Sequence, residues 1–409
     1  MIQLHSLKED FEQDFLSFVL DTVRELFAFE TNGRTTYKPE DIAIATLLMC
    51  TFNTSAETIQ MIKGLPSADT LLGRINGEKA LEIGEKINQL LKKRLETVQF
   101  PKKGKITLSG DFTENPFYGD KEQSHAMGGK PKAGTYYFIK YLTFSIVVEG
   151  HRFPTGFYPL TEERLQWVPE LVEEEIAWLQ KCGLCDRVLL DRGFNNFEIY
   201  NNIDEQGNKF LMPLTRNNKL NKAFDAREPS IGKRERKKGF VLKGYRPEEW
   251  TGDYRVLAIR IKERDKKKKD KWKWVFFITN MKIDPRTALF IYKRRWGIET
   301  AYSQVHALEA FTNTPKHGVR VFLTGLAFLL FSSWVFFNWR LAKRSPRQRN
   351  RKPAHSPTVN RKRFKITVTL PRFRLALMLC LLNDIMEKNE KKRDYIDGCF
   401  KKVDAGVLV

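Results

Sequence analysis

Four side chains of different chemistry recur at helical spacing in residues 284–310, DPRTALFIYKRRWGIETAYSQVHALEA. Asp284 can cap a helix and Pro285 suits its first turn. Gly297 is the only later Gly or Pro in the stretch, so one long helix is predicted. On a wheel of about 100° per residue, Tyr292, Arg295, Glu299 and His306 fall within roughly 60°. Ile291, Ile298, Ala301, Val305 and Leu308 gather on the other side as a core face. A phenol, a guanidinium, a carboxylate and an imidazole in line are an odd set to gather for stability alone. The same face also reads as solvated, with an Arg295–Glu299 ion pair. Two aspartates upstream, Asp111 and Asp191, favour the chemical reading. Three carboxylates on rigid elements can hold two divalent cations, and Mg²⁺ prefers such hard oxygen ligands. Two ions about 4 Å apart activate a nucleophilic oxygen and stabilise the leaving oxygen of an in-line displacement at phosphorus. No Ser, Cys or Tyr nucleophile is then required.

The elements that must position these acids begin near residue 105, where the pattern changes from helices to strands. Ile106–Phe112 is a short apolar run that ends around Asp111. A loop with Pro116, Gly119, Gly128, Gly129 and Pro131 follows. Tyr136–Val148 and Phe153–Leu160 read as a hairpin turned at Gly150 and His151. Leu165–Leu179 reads as a helix, Arg187–Asp191 as a short buried strand, Asn196–Ile203 as a helix and Lys209–Leu214 as a strand. The order β-β-β-α-β-α-β predicts a mixed α/β sheet with an antiparallel hairpin, not a doubly wound one.

Residues 1–100 read as a helical domain. Helices are expected from Pro39 through Met49, after the capping-box pattern Thr54–Glu57, after Ser67, and over Ala80–Val98. Two short helices around the turn at Gly64 and Pro66 have the outline of a helix-turn-helix. Residues 215–280 form a basic β-rich insertion whose hairpin tip is the run Lys266–Lys269. Residues 342–366 are a basic, Pro-punctuated linker, and 367–409 a last helix with its tail.

The chain has 409 residues and 42% hydrophobic content, enough for two or three domains with a real core. Its net charge of +22 points to a polyanionic partner. Five scattered cysteines include one CxxC, Cys182 and Cys185, with no second pair for a tetrahedral metal site. They read as reduced thiols of an intracellular protein, and the acidic, mixed N-terminus does not read as a signal peptide. Val321–Asn338 is long and apolar enough to raise a membrane span, but its four polar residues and basic flanks on both sides favour a buried helix.

Tyr292-x2-Arg295-x3-Glu299-x6-His306 resembles the Y-x2-R-x3-E-x6-K signature of DDE transposases of the "insertion sequence four" group. Asp111, followed by Pro116-Phe-Tyr-Gly119, resembles the first catalytic aspartate of that family, and Asp191, in Leu-Asp-Arg-Gly-Phe194, the second. Glu299 resembles the catalytic glutamate. The resemblance covers about residues 105–340. It implies an RNase H-like catalytic core over 101–214 and 281–341, interrupted by the insertion and preceded by the helical domain. It further implies two Mg²⁺ or Mn²⁺ ions on Asp111, Asp191 and Glu299. Tyr292, Arg295 and His306 would contact DNA phosphates, with Lys293 and Arg192 as further DNA-binding candidates. His306 departs from the family lysine and, when neutral, donates only one hydrogen bond.

The implied activity is cleavage and strand transfer at the inverted-repeat ends of an insertion sequence. It would be carried out on double-stranded DNA by a homodimer in a prokaryotic cytoplasm, with no membrane involved. A transposase-derived DNA-binding protein and a metal nuclease without strand joining are the rivals from other classes.

Overall fold

A computed structural model of the chain describes residues 19–21, 23, 25, 26, 37–75, 79–98, 100, 106–263, 271–293, 295, 297–344 and 368–387. The helices, in chain order, begin with α1 (Pro39–Phe52), α2 (Ala56–Ile59), α3 (Ala68–Ile75) and α4 (Ala80–Glu96). Then come β1 (Thr107–Phe117), α5 (Lys121–Ser124), β2 (Met127–Lys132), β3 (Thr135–Val148) and β4 (His151–Leu160). Next are α6 (Val168–Lys181), β5 (Arg187–Leu190), α7 (Phe197–Glu205) and β6 (Lys209–Leu214). The insertion contributes α8 (Asn218–Arg227), α9 (Lys233–Lys238), β7 (Phe240–Leu242), β8 (Arg255–Glu263) and β9 (Lys271–Thr279). Last come α10 (Pro285–Lys293), α11 (Gly297–His306), α12 (His317–Arg344) and α13 (Leu370–Glu387). The chain divides into two compact units, Met1–Ile87 with Gln304–Val409, and Asn88–Ser303.

In the first unit α12 packs against α1 and α3, and α13 against α1. A helix apolar on all sides must be covered on all sides, and 89% of the apolar window of α12 is buried. Its polar groups are satisfied locally: Ser333 donates to the Leu329 carbonyl at 2.8 Å, and Asn338 donates to the Trp334 carbonyl at 3.1 Å. Asn338 also accepts from the Val368 amide at 2.7 Å, which fixes the entry into α13. The stretch 321–338, expected inside the catalytic core, thus groups with the N-terminal helices. The expected helices at 39–49, after Ser67 and over 80–98 are present; the one after Thr54 is a single turn, with Ser55 at its N-cap.

The second unit is built on a nine-stranded mixed sheet in the order β2-β3-β1-β5-β6-β9-β8-β7, with β4 also paired to β3. Among the described strands, only β1–β5 and β5–β6 pair in parallel. The hairpin turns 133–134 and 149–150 have positive φ at both central residues (Ala133 and Gly134, Glu149 and Gly150), the geometry that matches strand twist in two-residue loops. Two expectations change here. The presumed loop after Phe112 is mostly strand, because β1 runs on to Phe117 and β2 covers Gly128, Gly129 and Pro131. Pro116 is tolerated because β1 loses its β5 neighbour after Gly110 and is an edge from there on. The insertion, expected as β-rich, also carries the helices α8 and α9, and its β9 pairs with β6, so its strands extend the core sheet. The run Lys266–Lys269 lies outside the described residues, between the paired ends Glu263 and Lys271.

One buried charge in this unit is held by two neighbours. Glu175 is fully buried. Its Oε2 lies 3.2 Å from Lys92 Nζ and accepts from Tyr158 Oη at 3.1 Å, while Lys92 Nζ sits 5.0 Å from the Trp178 ring centroid. Removing one partner of a buried pair leaves an uncompensated charge. Lys92→Met is therefore expected to lower unfolding free energy by about 3 kcal/mol in urea titrations. Adding Glu175→Gln should recover part of that loss.

Candidate active site

The site starts from the register of two parallel strands. Gly110 is aligned with Leu190 at the last β1–β5 pair, so the next residues, Asp111 and Asp191, emerge side by side. Beyond Leu190 the chain leaves the sheet in a 3-10 turn, Arg192–Phe194, with Asp191 at its N-cap. Phe112 stacks on Phe194 with ring centroids 4.6 Å apart, tying the two strand ends together. A Cβ on Gly110 would lie 2.7 Å from Leu190 Cδ2 and 2.8 Å from Phe144 Cε1, so only glycine permits this approach.

The stretch 284–310 is not one helix. Asp284 caps α10 as expected, accepting from the amides of Arg286 and Thr287 at 3.0 and 3.1 Å. The apolar side of α10 (Ala288, Ile291 and Tyr292) packs into a cluster with Leu189, Leu211, Leu257 and Phe277 of the sheet. The helix then ends at Lys293, and the Arg295 amide donates to the Tyr292 carbonyl at 2.9 Å in a tight turn before α11 starts at Gly297. The single-wheel alignment of Tyr292, Arg295, Glu299 and His306 is therefore broken. A turn closed by an i to i−3 bond, next to a glycine of low helix propensity, swings Arg295 off the helical path and toward the carboxylates.

Arg295 Nη1 lies 3.0 Å from Asp111 Oδ2 and Nη2 lies 3.4 Å from Asp191 Oδ1. Its side chain is only 6% exposed, against 13% for Asp111 and 39% for Asp191. The guanidinium carbon sits 5.3 Å from the Tyr292 ring centroid, and Tyr292 Oη donates to Asp191 Oδ1 at 3.4 Å. Burial raises the Asp111 carboxyl to about 6; the Arg295 charge opposes this, and Asp191 adds to it. Burial also raises the Tyr292 phenol, so it stays protonated as a donor.

Two residues that the sequence reading did not single out complete this arrangement. Thr143, opposite Asp111 in the β1–β3 register, donates to the Asp111 carbonyl at 3.3 Å. Its hydroxyl also bonds Tyr302 Oη, a phenol that burial holds far above its ordinary pKa. Tyr302 lies one helical turn beyond Glu299 on α11, so this pair links the helix carrying Glu299 to the strand carrying Asp111. The only sequence signal for Tyr302 is its i+3 offset from Glu299, and Thr143 has none.

The side chain of Glu299 lies outside the described residues. Arg192 and Lys293 are exposed. His306 belongs to the first unit, where its Nδ1 pairs with Glu309 Oε2 at 2.9 Å. No group of three or more His, Cys, Asp or Glu side chains able to hold a metal occurs among the described residues. The two aspartates nonetheless suit a divalent ion: adjacent hard oxygen donors that already share one delocalised cation.

The raised Asp111 pKa fixes a sign. The unfolded carboxyl titrates near 3.8 and the folded one near 6, so its favourable contribution is present at low pH and lost as pH rises through 6. In EDTA, urea unfolding of wild type and Asp111→Asn should diverge with acidification. Wild type should gain about 3 kcal/mol relative to the variant between pH 7 and pH 4.

Residues 168–331 match the family model described as "Transposase DDE domain". No curated protein sequence matches the chain. Among solved structures, the fold is similar to that of a piggyBac transposase in a synaptic complex with hairpin DNA. The TM-score is 0.59 at 14% identity, over 97% of this chain and 85% of that one. The family match begins after Asp111, includes Asp191 and runs through α10 and α11, and it falls on a mixed α/β sheet of RNase H-like design.

Proposed function

We propose that Asp111, Asp191 and Glu299 are the three catalytic acids, holding two Mg²⁺ or Mn²⁺ ions, and that the chain cuts and joins DNA at the ends of an insertion sequence of the group-four type. The observation that carries this reading is the juxtaposition of Asp111 and Asp191 where β1 and β5 stop pairing. Two divalent ions, when bound, supply activation of a nucleophilic oxygen and stabilisation of the leaving oxygen. The chain's own part is to hold and orient. Thr143 and Tyr302 fix the backbone of Asp111, and the Phe112–Phe194 stack fixes the start of the turn after Asp191. Arg192 and Lys293 would meet backbone phosphates as charged donors, which their exposure supports. In the first reaction a water oxygen bonds to phosphorus as the strand's 3′ oxygen leaves. In the second that freed 3′-OH bonds to phosphorus of another strand and displaces its oxygen.

The helical N-terminal region would recognise the terminal repeats, and two copies would pair the two ends in a prokaryotic cytoplasm. The net charge of +22 supports a DNA partner. The test is Mg²⁺-dependent cleavage of supercoiled plasmid carrying the element's flanking repeats, wild type against Glu299→Gln. Wild type should cut at the repeat ends, while the variant binds and loses at least about a hundredfold in rate, the scale of deleting one catalytic electrostatic group. Equal cutting by both would remove Glu299 from the triad. Binding without cutting by either, under any divalent ion, would favour a DNA-binding protein derived from a transposase.

A further inference from the structure

Arg295 is buried with its two terminal nitrogens on the two aspartates that would hold metal, which is an unusual place for a phosphate-binding side chain. Its Nε has no hydrogen-bond partner, so its fixed bonds are those to the acids, and the Tyr292 ring covers one face. The arginine sits in the turn between α10 and α11, not within either helix, so its backbone is not held by a helical ladder.

We propose that Arg295 is a built-in counter-ion that occupies the carboxylate pair before metal binds and must withdraw for a divalent ion to load. This rests on the metal-binding reading of Asp111 and Asp191 given above. The argument is one of shared ligands. A carboxylate oxygen 3.0 Å from a guanidinium nitrogen cannot also bind a metal at full strength, because the adjacent cation repels the incoming one. Without metal the same guanidinium relieves the repulsion between two acids held side by side by the strand register. The withdrawn guanidinium is a fork suited to phosphate oxygens, which couples metal loading to a grip on the DNA backbone. Arg295 is a positioning residue in this scheme: it sets when the acids are free, and takes no part in bond making.

The test reads Mn²⁺ binding to the full chain by electron paramagnetic resonance and calorimetry, without DNA, alongside metal-free thermal stability. Arg295→Gln should bind Mn²⁺ about tenfold more tightly than wild type, the scale of removing a cation beside a carboxylate. It should also unfold at lower temperature without metal. Arg295→Lys, which keeps the charge but cannot span both acids, should fall between them. A purely structural role predicts the opposite sign for affinity, since loss of packing weakens stability and metal binding together. Unchanged or weaker Mn²⁺ binding in Arg295→Gln overturns the proposal. If that variant does not fold, Arg295→Lys decides by the same criterion. Asp191→Asn separates the two readings. If it abolishes Mn²⁺ binding while Arg295→Gln binds like wild type, only the counter-ion idea fails. If neither wild type nor Arg295→Gln binds Mn²⁺, the metal-site reading fails and takes the counter-ion with it.

Discussion

The parallel pairing of β1 with β5 is the constraint on which the rest of the site depends. Four residue pairs, from Thr107 with Arg187 to Gly110 with Leu190, bring together two segments far apart in sequence and set Asp111 and Asp191 at one height. The approach is close enough that Gly110 has no room for a side chain. Two acids brought together this way repel, and burial adds to the cost of charging Asp111. The Arg295 fork and the Tyr292 phenol answer that problem, while the Thr143–Tyr302 link holds the backbone of Asp111.

The break between α10 and α11 is what lets one stretch of chain serve two ends. α10 is held on the sheet by ordinary apolar packing, in the same cluster as Leu189, the residue two before Asp191. Its orientation is thus tied to the strand that carries the second acid. The turn that follows spends no helical hydrogen bond on Arg295 beyond its amide bond to Tyr292, leaving that side chain directed by charge. α11 then resumes with Ala301 buried and Tyr302 reaching β3. An unbroken helix would carry Arg295 and Glu299 on one face at fixed separation; two helices let each be placed by its own contacts.

The parts that could be read from the sequence were those set by local chemistry. Alternating apolar runs marked β3, β4, β6 and the β8–β9 hairpin, and Asp284 with Pro285 marked the start of α10. The two aspartates stood out because each follows a short apolar strand, and the register then placed them together. What stayed hidden depended on partners distant in the chain. The partners that Arg295 meets after the helix break lie 104 and 184 positions away in sequence, which no helical wheel contains. β1 continues through Pro116 only because β5 has already stopped pairing, and β2 is rich in glycine and lysine, so neither looked like strand. Thr143 and Tyr302 are unremarkable until the β1–β3 register sets one opposite Asp111 and α11 brings the other to it.

The pairing of β9 with β6 has a bearing on how such a chain can be rearranged. Leu211 to Leu214 of β6 hydrogen-bond on one side to residues that lie within the insertion, and β5 occupies the other side. The insertion is therefore a structural neighbour of the strand next to Asp191, and not a module clipped onto a loop. Excising residues 215–280 would turn β6, with its sequence Lys-Phe-Leu-Met-Pro-Leu, into a bare apolar sheet edge. Such an edge is a template for pairing with other chains. The basic segment thus guards the core against self-association by the same backbone bonds that hold it in place.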